Sequence, residues 1–164
     1  MGREIRRVPP NWEHPKDEKG EYLSMYDEEY ETVANEWFND CIAWFNGTHK
    51  DIINDPDLKK EYPFYWEYEG DPPDRNYYRP KFTEDPTWFQ VYQTVSEGSP
   101  VTPPFATKEE LVEYLVQNGD FWDQKRRHGG WNRENAERFV GSEWAPSLMF
   151  NTTTNEIKTP RDGI

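Results

Sequence analysis

Apolar positions recur at helical spacing most clearly between Glu28 and Asn46. Tyr30, Val33, Ala34, Trp37, Phe38, Cys41, Ile42 and Phe45 fall at i, i+3, i+4, i+7, i+8, i+11, i+12 and i+15, one continuous apolar stripe that predicts a long amphipathic helix. Asp27 suits its N-cap, Glu28, Glu29 and Glu31 the positive end of its dipole, and Gly47 the position just past its end.

The stretch Thr87–Gly119 gives strand, turn and cap signals in unbroken succession and reads as the organising unit of the fold. Trp88–Val95 predicts a strand, Ser96–Pro100 a turn, and Val101–Phe105 a proline-stiffened extended return. Thr107 and Glu110 then form a capping box opening a helix that buries Leu111, Val112, Leu115 and Val116 and closes at Asn118-Gly119.

Weaker signals flank these two segments. Arg3–Val8 predicts a short edge strand stopped by Pro9-Pro10, followed by an arm in which Trp12 anchors the chain. Asp55 and Pro56 suit the cap and first position of a short helix ending before Pro63. Phe64–Tyr68 reads as a strand, and the prolines after it require a loop. Arg133–Val140 predicts a helix capped by Asn132, buried through Ala136, Phe139 and Val140 and stopped by Gly141. Ser147–Phe150 and Glu156–Thr159 suggest a closing hairpin. Together these elements predict an α+β fold: a small, mostly antiparallel sheet packed against one long and two or three short helices. Residues 1–164 are expected to form a single domain, with 1–20 an extended arm and 160–164 a loose tail.

Composition changes the picture in two ways. The hydrophobic share is only 34%, yet aromatics reach 16%, so the core must be built largely of rings. The formal charge is −13 and uneven: residues 21–90 hold seventeen acidic and six basic groups, net −11. Such a field repels nucleic acid and anionic membrane and attracts basic protein surfaces. In its plainest role it favours solubility. The single cysteine, Cys41, excludes an internal disulfide, and no apolar run approaches a membrane span. Without an export signal the sequons at Asn46 and Asn151 carry no weight, and a cytoplasmic location is expected.

Catalytic signals are sparse. His14, His49 and His128 stand at no metal-ligand spacing, Cys41 lies on the apolar stripe of the long helix, and Ser96–Ser99 accompanies neither a nucleophile elbow nor a phosphate loop. No cofactor or metal is expected. Lys125, Arg126, Arg127 and His128, followed by two glycines and Trp131, form the one basic cluster and a candidate anion site, or else an exposed loop paired with the chain's own carboxylates. The carboxylates admit a small hydrolase on a saccharide or nucleotide, although no pair is singled out. A geometric role suits them better. Helix positions three or four apart bring side chains to about 5–6 Å, comparable with phosphate spacing on DNA. Glu28, Glu29, Glu36 and Asp40, with Asp51, Asp55, Asp57, Glu67, Glu69, Asp71 and Asp74, are the candidate acidic binding face.

Three phrases carry a resemblance. The opening Arg3-Glu4-Ile5-Arg6-Arg7-Val8-Pro9 with Trp12, His14 and Pro15, the middle Ser96–Val101 with Phe105–Leu111, and Trp144-Ala145-Pro146-Ser147 near the end resemble a family of uncharacterised tailed-phage and prophage proteins. They cover about a quarter of the chain. The resemblance implies a phage origin and expression in the cytoplasm of a bacterial host, and supplies no catalytic residues. Members of that family carry a cysteine-rich insert suited to zinc where this chain has an acidic aromatic segment, so that site does not carry over. The expectation is an acidic phage protein that binds and inhibits a host defence or nucleic-acid-handling protein with a basic surface, as a DNA mimic, without contacting nucleic acid or membrane. A phage structural or assembly protein is the alternative.

Overall fold

The computed structural model describes residues 2–94 and 97–164. Val95 and Ser96, assigned above to a strand end and a turn, lie outside the described residues. In chain order the elements are β1 (Gly2–Val8), β2 (Tyr26–Glu29), α1 (Tyr30–Asn46), α2 (Lys50–Asn54), α3 (Leu58–Glu61), α4 (Tyr65–Tyr68), β3 (Tyr78–Arg79), β4 (Trp88–Thr94) and β5 (Gly98–Pro100). There follow α5 (Lys108–Asn118), α6 (Phe121–Arg126), α7 (Arg133–Ser142), β6 (Trp144–Pro146), β7 (Met149–Asn151) and β8 (Glu156–Lys158). The fold is α+β. By its contacts the chain divides into two compact units, Met1–Met25 with Phe82–Ile164, and Tyr26–Lys81.

The larger unit is built on a four-stranded antiparallel sheet of order β5-β4-β1-β6. The first strand is therefore interior, not the short edge strand within an extended arm expected above. Each of its arginines has a partner: Arg3 Nε donates to Asp120 at 3.0 Å, Arg6 Nε to Glu4 at 2.6 Å, and an Arg7 Nη to Glu143 at 2.8 Å. Arg6, buried, also donates to the Met25 carbonyl at 2.9 Å and lies over the Tyr92 ring. Helices α5 and α7 close the core through Leu111, Val112, Leu115, Ala136, Phe139 and Val140 against Ile5 and Val91. The Thr107–Glu110 capping box forms as predicted, with the Glu110 amide donating to Thr107 Oγ1 at 3.1 Å.

Three local expectations for this unit change. The pairing strand after β4 is Gly98–Pro100, where a turn was expected, and the extended return follows it, with the Phe105 amide donating to the Phe89 carbonyl. Gly141 lies inside α7, which runs on to Ser142 and ends with Glu143 in the left-handed region. The tail is tied down: Pro160 is buried, Asn135 Nδ2 donates to the Arg161 carbonyl at 2.9 Å, and Arg138 donates to the Gly163 carbonyl.

The smaller unit has a core built mainly of rings: Trp44 and Tyr65 are buried with Ile52, and Trp37, Tyr62, Cys41 and Leu58 pack against them. Its long helix starts at Tyr30, after β2, so Asp27 is not the cap. Glu29 holds that position and makes no side-chain capping bond. The buried face is rotated from the predicted stripe. Trp44, outside that stripe, is 0% exposed and donates from Nε1 to the Tyr62 carbonyl, while Phe38 and Phe45 are 60% and 69% exposed. Tyr65–Tyr68 is a helical turn rather than a strand, because the Glu67 carboxylate turns back to accept from the Phe64 amide at 3.1 Å. An additional helix, α2, is capped by His49, whose Nδ1 accepts from the Asp51 amide. The helix after Pro56 begins only at Leu58, with Asp55 accepting from the Asp57 amide.

Two glycines test the packing. A methyl group at Gly130 would collide with the Val116 carbonyl, where the chain passes beneath the end of α5 and Trp131 donates its amide to Leu115. One at Gly141 meets open space in a helix. Thermal denaturation should show Gly130→Ala destabilised by at least about 2 kcal/mol, as for a backbone clash or overpacking. Gly141→Ala should be stabilised by about 0.5–1 kcal/mol.

Candidate functional site

The eleven carboxylates expected to form an acidic face all lie in the Tyr26–Lys81 unit, which carries fourteen acidic and six basic groups, net −8. Six of them are engaged by the fold. Asp55, Glu67 and Asp74 accept from backbone amides at turns and helix starts, and Asp57 pairs with Lys60 at 2.6 Å. Asp40 accepts from the Tyr65 hydroxyl at 3.4 Å and lies 3.6 Å from His49 Nε2, and Asp51 lies 3.7 Å from His49 Nδ1. Burial and the Asp40 carboxylate push the Tyr65 hydroxyl up to about 12. Glu28, Glu29, Glu36, Glu69 and Asp71 have no ion pair or side-chain hydrogen bond among the described residues. Glu28 and Glu29 belong to β2, not to the long helix.

Exposed apolar groups occur in the same unit, among them three positions of the apolar stripe of the long helix. Phe38, Ile42 and Phe45 form an exposed stripe along α1, beside the buried Trp37–Trp44 side, and Ile53, Phe64, Trp66, Tyr68 and Tyr77 are exposed as well. Phe64 and Trp66 stack at 4.7 Å, within 4° of parallel. Cys41 is half-buried, and burial followed by the Asp40 charge pushes its thiol up, away from nucleophilic use.

The basic cluster is divided by structure. Lys125 and Arg126 end the helix α6, Arg127 caps it in the left-handed region, and His128 follows. Trp131, which follows the cluster in sequence, is buried, its Nε1 donating to Asp123 at 2.6 Å. Arg126 and His128 line a cavity of about 310 Å³ with Arg3, Arg161, Asp120 and Asp123.

A second feature left no sequence signal beyond an isolated histidine. His14 is buried, with Nε2 2.7 Å from the Leu23 carbonyl, so Nε2 carries a hydrogen. Nδ1 lies 3.1 Å from the Tyr92 hydroxyl, which donates to Gln90 Oε1 at 3.2 Å, and Gln90 Nε2 donates to the Thr102 carbonyl at 2.8 Å. Beside this chain runs an open cleft of about 630 Å³ lined by Trp12, Tyr22, Phe121, Pro103 and Pro104. Burial holds His14 below its ordinary value; the Leu23 carbonyl acts against this and the Arg6 charge adds to it.

Among the described residues no group of three or more His, Cys, Asp or Glu stands together to hold a metal ion, and no helix is long and apolar enough to cross a membrane. Compared with protein-family models, curated proteins and solved structures, the chain has no match.

The depressed His14 fixes the sign of a pH effect. The unfolded chain takes up a proton near pH 6.5 that the folded chain refuses, so folded-state stability present above that pH is lost as pH falls below it. Denaturant melts between pH 7.5 and 5.5 should give a slope of up to about 1.4 kcal/mol per pH unit that His14→Gln removes. Parallel curves for the two proteins would assign the acid sensitivity to other groups.

Proposed function

We propose that this is a phage-encoded protein that binds and inhibits a nucleic-acid-handling or defence protein of a bacterial host, with residues 26–81 as the recognition unit. The observation that carries the reading is the coincidence, within one small unit, of net −8 and eight exposed large apolar side chains. Capping needs account for only part of the acid. Glu28, Glu29, Glu36, Glu69 and Asp71 remain to meet cations, and the rings offer the desolvated contact area on which protein interfaces depend. The partner that complements both is a basic groove with apolar walls, as in proteins that hold DNA, and the acidic unit takes the place of the phosphates there. The resemblance to tailed-phage proteins supports the host setting.

A second reading, an assembly protein of the phage particle, draws on the hairpin β7–β8. There Met149, Phe150 and Ile157 are all exposed. Presence of the chain in purified particles would favour it.

The test is capture of partners from host lysate, followed by titration of the retained protein against salt and duplex DNA. Under the proposal, binding weakens steeply between about 50 and 200 mM salt, DNA competes for the same surface, and Glu36→Lys with Glu69→Lys lowers affinity about tenfold or more. Glu134→Lys, in the other unit, leaves affinity unchanged. A complex indifferent to salt and to DNA overturns the mimicry.

A further inference from the structure

The described residues include ten arginines, and seven have a carboxylate oxygen within ion-pair distance: Arg3, Arg6, Arg7, Arg75, Arg79, Arg133 and Arg138. In a chain with 32 carboxylates to 19 Lys and Arg, such pairing is expected of every guanidinium. Arg126, Arg127 and Arg161 are without it among the described residues. Two of these three, Arg126 and Arg161, line the same cavity of about 310 Å³, distinct from the acidic unit treated above.

The cavity also contains Asp120, Asp123 and Asp162, and their orientation decides its character. Asp120 Oδ1 accepts from the amides of Trp122 at 2.8 Å and Asp123 at 2.9 Å, and its Oδ2 accepts from Arg3 at 3.0 Å. Asp123 Oδ2 accepts from Trp131 Nε1 at 2.6 Å and from the Asp120 amide at 3.2 Å. Asp162 Oδ2 accepts from the amide and hydroxyl of Thr159, at 2.9 and 2.8 Å. Against burial, which pushes it up, these Thr159 bonds, and Arg161 at longer range, keep the Asp162 carboxyl below its usual value. Each carboxylate thus has at least one oxygen held by donors of the fold itself, and Asp123 Oδ1 lies 3.6 Å from His128 Nδ1. Of the cations, Arg161 makes one hydrogen bond among the described residues, to the His128 carbonyl, and keeps its remaining N–H groups. Arg126 makes no hydrogen bond or ion pair among the described residues, and its guanidinium lies 5.9 Å from the centre of the Trp122 ring. Ser147 Oγ accepts from Arg3 at 3.3 Å, which leaves its own hydrogen to donate.

We infer that this cavity is a binding site for a small organic phosphate, with Arg126 and Arg161 gripping the phosphoryl oxygens and Ser147 donating to them. Guanidinium groups are the side chains best matched to phosphate, through paired N–H donors. The volume is at the lower end of small-molecule pockets, larger than a phosphate ion needs, and leaves room for a sugar-sized body against the Trp122 side chain. Trp122 is held in place by its Nε1 bond to Gln93 at 2.6 Å.

The test uses the whole chain labelled with ¹⁵N, following the indole N–H resonances of Trp122 and Trp131 during titration with ribose 5-phosphate, inorganic phosphate and ribose. Ribose 5-phosphate should shift both resonances saturably, inorganic phosphate more weakly, and ribose not at all up to about 10 mM. Arg126→Gln and Arg161→Gln should each weaken ribose 5-phosphate at least about tenfold. Arg133→Gln, which removes an equal charge from the Glu113 ion pair outside the cavity, should leave the affinity unchanged. The arginine variants change solvent-reaching side chains, and an otherwise unaltered spectrum verifies their fold. Absence of saturable shifts, an equal response to ribose, or full binding by both arginine variants overturns the inference.

Discussion

The antiparallel ladder between Gly2–Val8 and Trp88–Thr94 is the constraint on which the larger unit depends. It joins the start of the chain to its middle in an unbroken register from Gly2 opposite Thr94 to Val8 opposite Trp88. All of the smaller unit lies in sequence between the two strands. Closing so long a loop is less unfavourable than its length suggests, because each doubling of length adds only about 0.6 kcal/mol. What holds the closure is a buried cation. Arg6 ties Glu4, the Met25 carbonyl and the Tyr92 ring together, and the Met25–Gly98 bridge forms beside it. A side chain at Gly98 would strike the Arg6 guanidinium, so a glycine is needed there for close approach rather than for backbone freedom. Removing one partner from a buried charge network of this kind leaves the other uncompensated, at about 3–5 kcal/mol.

That same network shows why the sequence was legible in some places and opaque in others. The Thr107–Glu110 capping box and the Asn132 cap were readable because both partners lie within one helical turn. The interior position of β1 was not. Its Arg3, Arg6 and Arg7 resemble the charges that protect an edge strand; Glu4 pairs with Arg6 from two residues away, but the Asp120 and Glu143 carboxylates that neutralise Arg3 and Arg7, and the Met25 carbonyl that accepts from Arg6, lie far away in sequence. In the smaller unit, periodicity identified the long helix but not which side of it is buried. Phe38, Ile42 and Phe45 share helical spacing with Trp37 and Cys41, and the core lies where Trp44 packs on Ile52 and Tyr65 and bonds to Tyr62. Phe64–Tyr68 looked like a strand because it is aromatic, whereas the outcome was decided by one carboxylate, Glu67.

The candidate sites divide along similar lines. Acid abundance was visible in composition, but not which carboxylates are engaged in capping. Asp40, placed by spacing on an open helix face, is held instead by Tyr65 and His49. The basic cluster was visible as a run, yet the run separates: Arg126 and His128 turn to a cavity completed by Arg3 and Arg161, residues near opposite ends of the chain. The His14–Tyr92–Gln90 chain gave no pattern at all, because it is assembled by tertiary contact alone.

Proton counting sharpens the meaning of that last network. Between His14 Nδ1, the Tyr92 hydroxyl and Gln90 Oε1 there are two gaps, and the hydroxyl brings a single hydrogen. Gln90 cannot rotate to supply another, because its amide nitrogen is fixed on the Thr102 carbonyl. With a neutral imidazole one acceptor in the chain competes with the other; a proton on Nδ1 would satisfy both. Burial and the neighbouring Arg6 oppose that proton. The buried arginine that secures the β1–β4 ladder therefore also helps hold His14 neutral, so the interaction organising the sheet and the protonation state of the cleft beside it are parts of one electrostatic arrangement.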